Sequence, residues 1–380
     1  MGTASTMAIL SEALGMMPSG ASSIPANDSR RRVAAEAVGR RCVEMVKEQL
    51  VPSRILTPAA FHNAVRALSA IGGSTNAVIH LVAIAGRRGI DLPLSLFDQL
   101  SRQTPMIVNL KPSGRYLMDH FHRAGGLPAV AQEISGLLEL DCLTVSGKTL
   151  GQNIETARCF DRDVIKPMSS PVLPSGALAV LKGNLAPSGA IMKVSAASDR
   201  LLNHSGAAVV FENYLDMMTR IDSPDLEVTA DSVLVMRNTG PRGVPGMPEW
   251  GAIPVPVKLL RQGVRDLVRI SDARMSGTSY GTVILHVAPE SAVGAPLAIV
   301  RNGDIIKLGT AERRLDLLLP EEEIQGRLSR WSPPPSEHLR GCPRLYIDQV
   351  LQADQGCDLD FLRPTSKDAV RFVPPVVGRG

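Results

Sequence analysis

The chain has very few aromatic residues. Phe, Trp and Tyr together account for 3% of its 380 residues. A surface on which single-stranded nucleic acid stacks needs more rings than this. The formal net charge is only +4, and the one compact basic block is Arg30–Arg32. That block is typical of a solvated helix start, so we predict no nucleic-acid partner.

Other features are absent as well. The five cysteines are an odd number with no short paired spacing, which argues against a disulfide framework or a zinc site and indicates a reducing compartment. No charged segment followed by an apolar stretch opens the sequence, and no apolar run reaches the roughly 18 residues that a membrane span needs. We therefore expect a cytoplasmic protein without a signal peptide or a membrane partner.

The first 160 or so residues predict helices joined by Gly/Pro turns. Apolar residues recur with a helical period from Val33 to Leu50. Thr57 and Pro58 supply an N-cap and a first-turn proline for a helix that continues to Ile71. Two further helices are predicted, at 76–88 and 127–138.

From Ala177 onward the pattern changes to short β-branched and apolar runs. Turns rich in glycine, proline and asparagine separate these runs, which favours a domain built from a sheet, in the form of a barrel. The sequence around Asn302-Gly303 predicts a hairpin within 297–308. The predicted strands are 177–181, 190–194, 207–211, 233–236, 267–270 and 282–287.

Two segments carry side chains that suit chemistry. Gly240–Glu249 ends a run of glycines and prolines with a carboxylate, and Asp272–Gly277 places Ser276 just after the strand-like 267–270. Loops on a firm scaffold commonly carry function. On the residue pattern alone, two surface turns are an equally good interpretation.

Together these two segments resemble the IlvD/Edd family of dehydratases, which remove water from 2,3-dihydroxy acids to give 2-keto acids. The resemblance covers nearly the whole chain. Further matching segments are Met1–Met7, Gly72–Asn76, Asn109–Gly114, Gly183–Gly189, His286–Glu290 and Val300–Asp304.

The resemblance implies an α/β fold in two domains. Residues 1–162 would form an α/β N-terminal domain truncated at its front, and residues 163–380 a β-barrel-like C-terminal domain. The active site of such proteins lies between the two domains.

The resemblance also implies an iron–sulfur cluster and Mg²⁺ as cofactors. Met1–Met7 resembles the stretch that directly follows the family's last cluster-binding cysteine. We therefore expect the cluster cysteines and most of the magnesium ligands to be absent from this chain. None of its cysteines falls in a matching motif; they are Cys42, Cys142, Cys159, Cys342 and Cys357.

Two residues take roles from the best-matching segments. Ser276 matches the family's proton-abstracting serine, although a turn serine that caps a helix is the alternative. A serine hydroxyl is too weak an acid to act as a base near pH 7 unless a metal ion or a cation such as Arg274 stabilises its alkoxide. Glu249 matches a magnesium ligand, which suits a hard cation; the alternative is a surface glutamate on a proline turn.

Four further residues are candidates for binding substrate. Asp272 and Arg274 either orient Ser276 or bind the substrate carboxylate. Ser74 and Asn76 could present polar groups to substrate oxygens at a helix start, or serve as a cap alone.

The substrate class follows from finer resemblance. Arg274–Gly281 and Leu345–Asp358 look closer to the sugar-acid dehydratases than to the branched-chain enzyme. We predict a hydro-lyase that converts an aldonate to a 2-keto-3-deoxy acid and assembles as a homodimer or homotetramer. Two alternatives remain: a dihydroxy-acid dehydratase of branched-chain amino-acid synthesis, and a catalytically dead remnant that acts only as an assembly partner.

Overall fold

The computed structural model describes residues 1–275, 280–335 and 338–364. Helices dominate up to residue 154, and strands lie between residues 179 and 317. The helices of the first part are α1 (Thr3–Ala13), α2 (Arg30–Lys47), α3 (Pro52–Ile55), α4 (Pro58–Ala70), α5 (Asn76–Arg87), α6 (Leu94–Gln103), α7 (Met118–Arg123), α8 (Gly126–Glu133) and α9 (Leu150–Ile154).

Local sequence explains where these helices begin. The Thr57 hydroxyl accepts a hydrogen bond from the Ala60 amide at 3.3 Å, and Pro58 occupies the first turn of α4, where its missing N–H costs nothing. The predicted helices that start at Pro58 and Asn76 are confirmed. The helix predicted over 127–138 ends earlier, because α8 stops at Glu133 and a 3₁₀ turn follows.

A first hydrophobic core joins α1 and the helices α4 to α8. Leu10, Phe61, Leu68, Leu81 and Phe121 are fully buried in it. By contrast, α2 buries no residue, although its sequence has the helical period that predicted it. The core therefore forms from helices on either side of α2 in the sequence.

The strands form one eight-stranded sheet in the order β1-β2-β6-β5-β4-β3-β7-β8. The four central strands β6, β5, β4 and β3 are parallel, and the outer pairings are antiparallel. The strands are β1 (Ala179–Leu181), β2 (Gly189–Met192), β3 (Asn203–Phe211), β4 (Val233–Met236), β5 (Val268–Ser271), β6 (Val283–Ala288), β7 (Ile305–Gly309) and β8 (Arg314–Leu317).

The two ends of this sheet meet, so the sheet is a nearly closed barrel, as predicted. The Lys182 amide donates to Arg313 O at 2.9 Å, and the Leu315 amide donates to Lys182 O at 3.1 Å. A Cβ at Gly183 would lie 2.0 Å from Leu315 O, so glycine is required where the ends approach. The Asn184 side chain completes the closure, with its Nδ2 donating to Leu317 O at 2.9 Å and its Oδ1 accepting from Leu317 N at 2.7 Å.

Alternation along the strands produces two further cores. Val233 and Val235 of β4 belong to one cluster, and Leu234 and Met236 belong to another, as the two-residue period of a strand requires. The remaining helices follow or cover these strands; they are α10 (Tyr214–Arg220), α11 (Val257–Arg261), α12 (Glu321–Ser329) and α13 (Gly341–Gln349).

Two expectations need correction. The hairpin predicted around Asn302-Gly303 does not form, because Pro296–Ile299 is a 3₁₀ turn whose apolar residues pack in the barrel core; the hairpin instead joins β7 to β8. Residues 1–178, all of them described, contain isolated bridges but no strand. The first part is therefore helical, and α/β describes the chain as a whole.

The domain boundary at residues 162/163 stays a prediction. The first core takes in Val164, Ile165 and Val180, so packing continues across that point.

In the part of the chain that the structure describes, no helix is both long enough and apolar enough to cross a bilayer. The cytoplasmic location stays a prediction.

Candidate active site

The side-chain amide of Asn76 connects the helical part to the barrel. Its Nδ2 lies 2.7 Å from Glu249 Oε1, 3.0 Å from Met275 O and 3.0 Å from Thr3 Oγ1. Asn76 is the first residue of α5 and is fully buried. One amide thus brings Asn76 and Glu249, both predicted site residues, into direct contact.

His286 fixes the orientation of that amide. Its Nε2 lies 3.3 Å from Asn76 Oδ1, an atom that can only accept. Burial, followed by the positive charge of Arg274, lowers the pKa of His286 to about 3, so the ring is neutral and donates through Nε2–H. The left-handed φ of +57° at His286 is costly for a non-glycine residue, which is consistent with a position held by its surroundings.

Ser74 lies where the sequence predicted, at the start of α5. Its hydroxyl accepts a hydrogen bond from the backbone N–H of Asn76 at 3.3 Å and lies 3.2 Å from Thr3 Oγ1. Its own amide donates to Thr6 Oγ1 at 3.1 Å. These bonds dock the start of α5 on α1; a contact of Ser74 with substrate stays a prediction.

Asp272 is fully buried at the end of β5, and both of its carboxylate oxygens are in use. Oδ1 accepts from the amide and the hydroxyl of Thr239 at 3.0 and 2.9 Å. Oδ2 accepts from the amide and the hydroxyl of Ser291 at 3.0 and 2.5 Å. Of its two expected roles, this geometry favours orienting the segment that follows over contacting substrate.

Arg274 holds the loop that carries Glu249. Its Nε donates to Met247 O at 2.5 Å, and its backbone carbonyl accepts from the Gly251 amide at 2.8 Å. The side chain also borders an open cleft of about 520 Å³, together with His80 and Tyr346. Arg274 therefore links the loop, the end of β5 and the cleft.

Glu290 anchors the same loop, and sequence analysis had assigned no role to this residue. Glu290 accepts from the amides of Arg242 and Gly243 at 2.9 and 2.8 Å, and from Gln352 Nε2 at 2.8 Å. Burial and then the nearby Asp272 raise the pKa of Glu290 to about 7. The available signal was a carboxylate that directly follows the apolar run of β6.

Ser276 lies outside the described residues, as do positions 277–279. The neighbouring described residues Met275 and Gly281 both line a small cavity, and Ser74 and Lys193 line it too. The Gly281 amide donates to Ala196 O at 2.8 Å. The catalytic role of Ser276 stays a prediction.

The described residues do not fit an iron–sulfur cluster. They contain no group of three or more His, Cys, Asp or Glu side chains placed to share a metal ion. Cys42 and Cys342 are exposed, and burial raises the pKa of the Cys357 thiol, whereas a cluster needs several thiolates together. For magnesium, Glu249 offers one hard oxygen ligand, already bonded to Asn76.

Comparison with known proteins covers both parts of the chain. Residues 1–153 match the family model "Dihydroxy-acid/6-phosphogluconate dehydratase N-terminal", and residues 163–357 match the corresponding C-terminal model.

Three curated relatives illustrate the similarity. An L-arabonate dehydratase of Azospirillum brasilense is 55% identical, over 93% of this chain and 62% of that protein. A 6-deoxy-6-sulfo-D-gluconate dehydratase of Pseudomonas putida is 48% identical, over 95% of this chain and 63% of that protein. A dihydroxy-acid dehydratase of Ignicoccus hospitalis is 44% identical, over 94% of this chain and 65% of that protein.

The chain thus spans a little under two thirds of the length of these relatives. Because the two family models together match most of its residues, the chain belongs to the dihydroxy-acid/6-phosphogluconate dehydratase family.

Proposed function

We propose that this chain carries substrate-binding and catalytic residues of a hydro-lyase that dehydrates a 2,3-dihydroxy acid. The observation that carries the proposal is the contact between Asn76 and Glu249, which joins two family-matching segments 173 residues apart in sequence. His286 and Asp272 hold the parts around that contact in place. Such a convergence of polar groups between two parts of a fold is typical of an active site.

The reaction breaks two bonds of the substrate. The C2–H bond breaks as its proton passes to a base, and the C3–O bond breaks as the hydroxyl leaves, after protonation, as water. The resulting enol becomes the 2-keto-3-deoxy acid when C3 takes up a proton. The weak acidity of C2–H and the poor leaving group at C3 are the two barriers that a catalyst must lower.

We assign proton abstraction at C2 to Ser276, and metal binding to Glu249. Arg274 is two residues from Ser276 and contributes positive charge near the site. An iron–sulfur cluster and Mg²⁺ remain the proposed cofactors, although the described residues supply only Glu249 toward them.

The substrate that we propose is a sugar acid. The named relatives acting on L-arabonate and on 6-deoxy-6-sulfo-D-gluconate share more identity with this chain than the dihydroxy-acid dehydratase quoted above. Both of those substrates are polyhydroxylated acids, so recognition would rest on hydroxyl and carboxylate groups rather than on an apolar side chain. We also propose that the protein forms a homo-oligomer.

The test uses L-arabinonate and the anaerobically purified 380-residue chain, with iron and sulfide measured on the same sample. A sample that contains iron and sulfide is expected to form 2-keto-3-deoxy-arabinonate, and a sample without iron to bind L-arabinonate without turnover. The branched substrate 2,3-dihydroxyisovalerate, assayed in parallel, is expected to react more slowly. An iron-containing sample that forms no product, or an iron-free sample that does not bind the acid, would overturn the proposal.

A further inference from the structure

Lys193 directly follows β2 and lines the small cavity beside Ser74, Met275 and Gly281. Its side chain makes no hydrogen bond or ion pair with any of the residues that the structure describes. A lysine in such a place is unusual, because most lysines either reach solvent or pair with a carboxylate.

Among the residues that the structure describes, no carboxylate offsets the charge of Lys193. Burial lowers the pKa of Lys193 to about 8, and no carboxylate acts on it to oppose that shift. Lys193 is half-buried. An ammonium that is partly withdrawn from water without a counter-charge costs free energy, so the cavity is suited to an anion.

The cavity is directly connected to the Asn76–Glu249 contact. Ser74, which lines the cavity, accepts a hydrogen bond from the backbone N–H of Asn76 at 3.3 Å. The carbonyl of Met275, another lining residue, accepts from Asn76 Nδ2 at 3.0 Å. An anion held at Lys193 would therefore lie in a cavity whose wall residues Ser74 and Met275 are hydrogen-bonded to Asn76. The start of α5 adds the positive end of a 12-residue helix to the same wall.

We propose that Lys193 binds the carboxylate of the 2,3-dihydroxy acid, an inference that rests on the proposed function. The positive ammonium of Lys193 and the negative carboxylate of the substrate would then neutralise each other. Lys193 is then a substrate-binding residue that sets the preference for acids over neutral polyols.

The ionisation of Lys193 itself gives the sharpest test. The full chain is labelled with ¹³C at the lysine Cε positions, and each pKa is followed by NMR at constant chloride concentration. The Lys193 signal is assigned by its loss in Lys193→Met. Glycolate, which carries a carboxylate and a 2-hydroxyl, is expected to raise the pKa of Lys193 by about 1 or more. Ethylene glycol, which lacks the carboxylate, is expected to leave it unchanged.

The exposed Lys307 of β7 serves as the matched control. Neither compound is expected to move its Cε signal. A Lys193 pKa that glycolate leaves unchanged overturns the inference, whatever the chain does to sugar acids. A shift of equal size at Lys307 also overturns it, because the anion would then act without a specific site.

Turnover separates this inference from the proposed function. In an iron-containing sample, Lys193→Met is expected to raise KM for L-arabinonate at least about tenfold, whereas Lys307→Met leaves it unchanged. If glycolate shifts Lys193 but an iron-containing sample forms no product, the carboxylate site stands and the dehydratase proposal fails. If product forms and Lys193→Met leaves KM unchanged, the dehydratase stands and the role of Lys193 fails.

Discussion

At the scale of single residues, the amide of Asn76 is the point on which the candidate site depends. It contacts Glu249, Met275, Thr3 and His286. The sequence predicted Asn76 from its position at a helix start, which is a local signal. Its partners lie far away in sequence, and no local pattern indicates which carboxylate or imidazole it meets.

Lys193 leads to a prediction about stability and pH. Its pKa is about 8 in the folded chain and about 10.4 when unfolded. Between these values the unfolded state binds more protons, so the free energy of unfolding rises with pH there and is lowest below pH 8. Lys193→Met is therefore expected to be more stable than wild type at pH 7, by up to about 3 kcal/mol.

The measurement is urea denaturation at pH values from 7 to 10.5. The stability advantage of Lys193→Met should shrink as the pH rises through this window, and Lys307→Met should show no such trend. A constant difference between Lys193→Met and wild type across the window would contradict the burial of an uncompensated charge at Lys193.

Glu290 predicts a trend at lower pH. Its pKa is about 7 when folded and about 4.3 when unfolded. Between these values the folded state binds more protons, so the free energy of unfolding of wild type falls as the pH rises from about 4.3 to 7. Glu290→Gln cannot titrate, so this pH-dependent change in the free energy of unfolding, which amounts to up to about 4 kcal/mol, is expected to be absent from the variant.

Urea denaturation between pH 4.5 and 7.5 measures that difference, with Glu312→Gln on the exposed turn between β7 and β8 as the control. Glu290→Gln also loses acceptors for the amides of Arg242 and Gly243, so we expect weaker anchoring of the loop that ends at Glu249. Parallel pH profiles for wild type and Glu290→Gln would show that Glu290 is not the titrating group.

At the scale of elements, the closure of the barrel depends on the segment Gly183–Gly189. The side chain of Asn184 forms two hydrogen bonds with the backbone of Leu317, as a neighbouring strand would. The backbone N–H of Asn184 donates to Asp316 Oδ1 at 3.1 Å. Asn184→Ala removes the two side-chain bonds and leaves Leu317 groups unsatisfied. It is expected to lower the free energy of unfolding by about 1–3 kcal/mol.

Thermal or urea denaturation of Asn184→Ala tests this, with Asn203→Ala on the exposed start of β3 as the matched control. Asn203 has no side-chain role in closure, so its replacement should change stability by less than about 0.5 kcal/mol. Equal effects of the two substitutions would mean that the Asn184 amide is not needed to close the barrel.

Elements were predicted well where a local signal marks them and poorly where packing decides. Thr57 and Pro58 mark the start of α4 with cap chemistry, and the runs at 233–236 and 267–270 give β4 and β5 almost to the residue. Around Asn302-Gly303 the turn signal is real, but the preceding apolar run is buried as a 3₁₀ turn rather than paired as a strand. Whether this segment forms a strand or a 3₁₀ turn depends on how it packs in the barrel core, and a short stretch of sequence does not reveal that packing.

At the scale of the whole molecule, the end of the described chain packs back on the helical part. Arg87 Nε and Nη2 lie 2.7 and 2.8 Å from the two oxygens of Asp358. The Asp358 side chain is only 7% exposed, so removing its partner leaves a largely buried carboxylate. Arg87→Met is expected to lower the free energy of unfolding by about 1–2 kcal/mol and to speed hydrogen exchange over 350–363.

Arg344→Met is the control, because Arg344 and Asp348 form an exposed pair, and such pairs contribute little. It should leave both stability and exchange nearly unchanged. If Arg87→Met left exchange over 350–363 at the wild-type rate, the pair would not be what holds this segment against α5.

The participation of Glu249 in sugar-acid dehydration is tested by comparing iron-containing samples of Glu249→Gln and wild type for their rates of L-arabinonate dehydration. We expect product from wild type and a rate at least about 100-fold lower for Glu249→Gln, because the variant loses the carboxylate at the Asn76 contact. A rate for Glu249→Gln equal to that of wild type, or no product from either, would contradict the assignment of this site to sugar-acid dehydration.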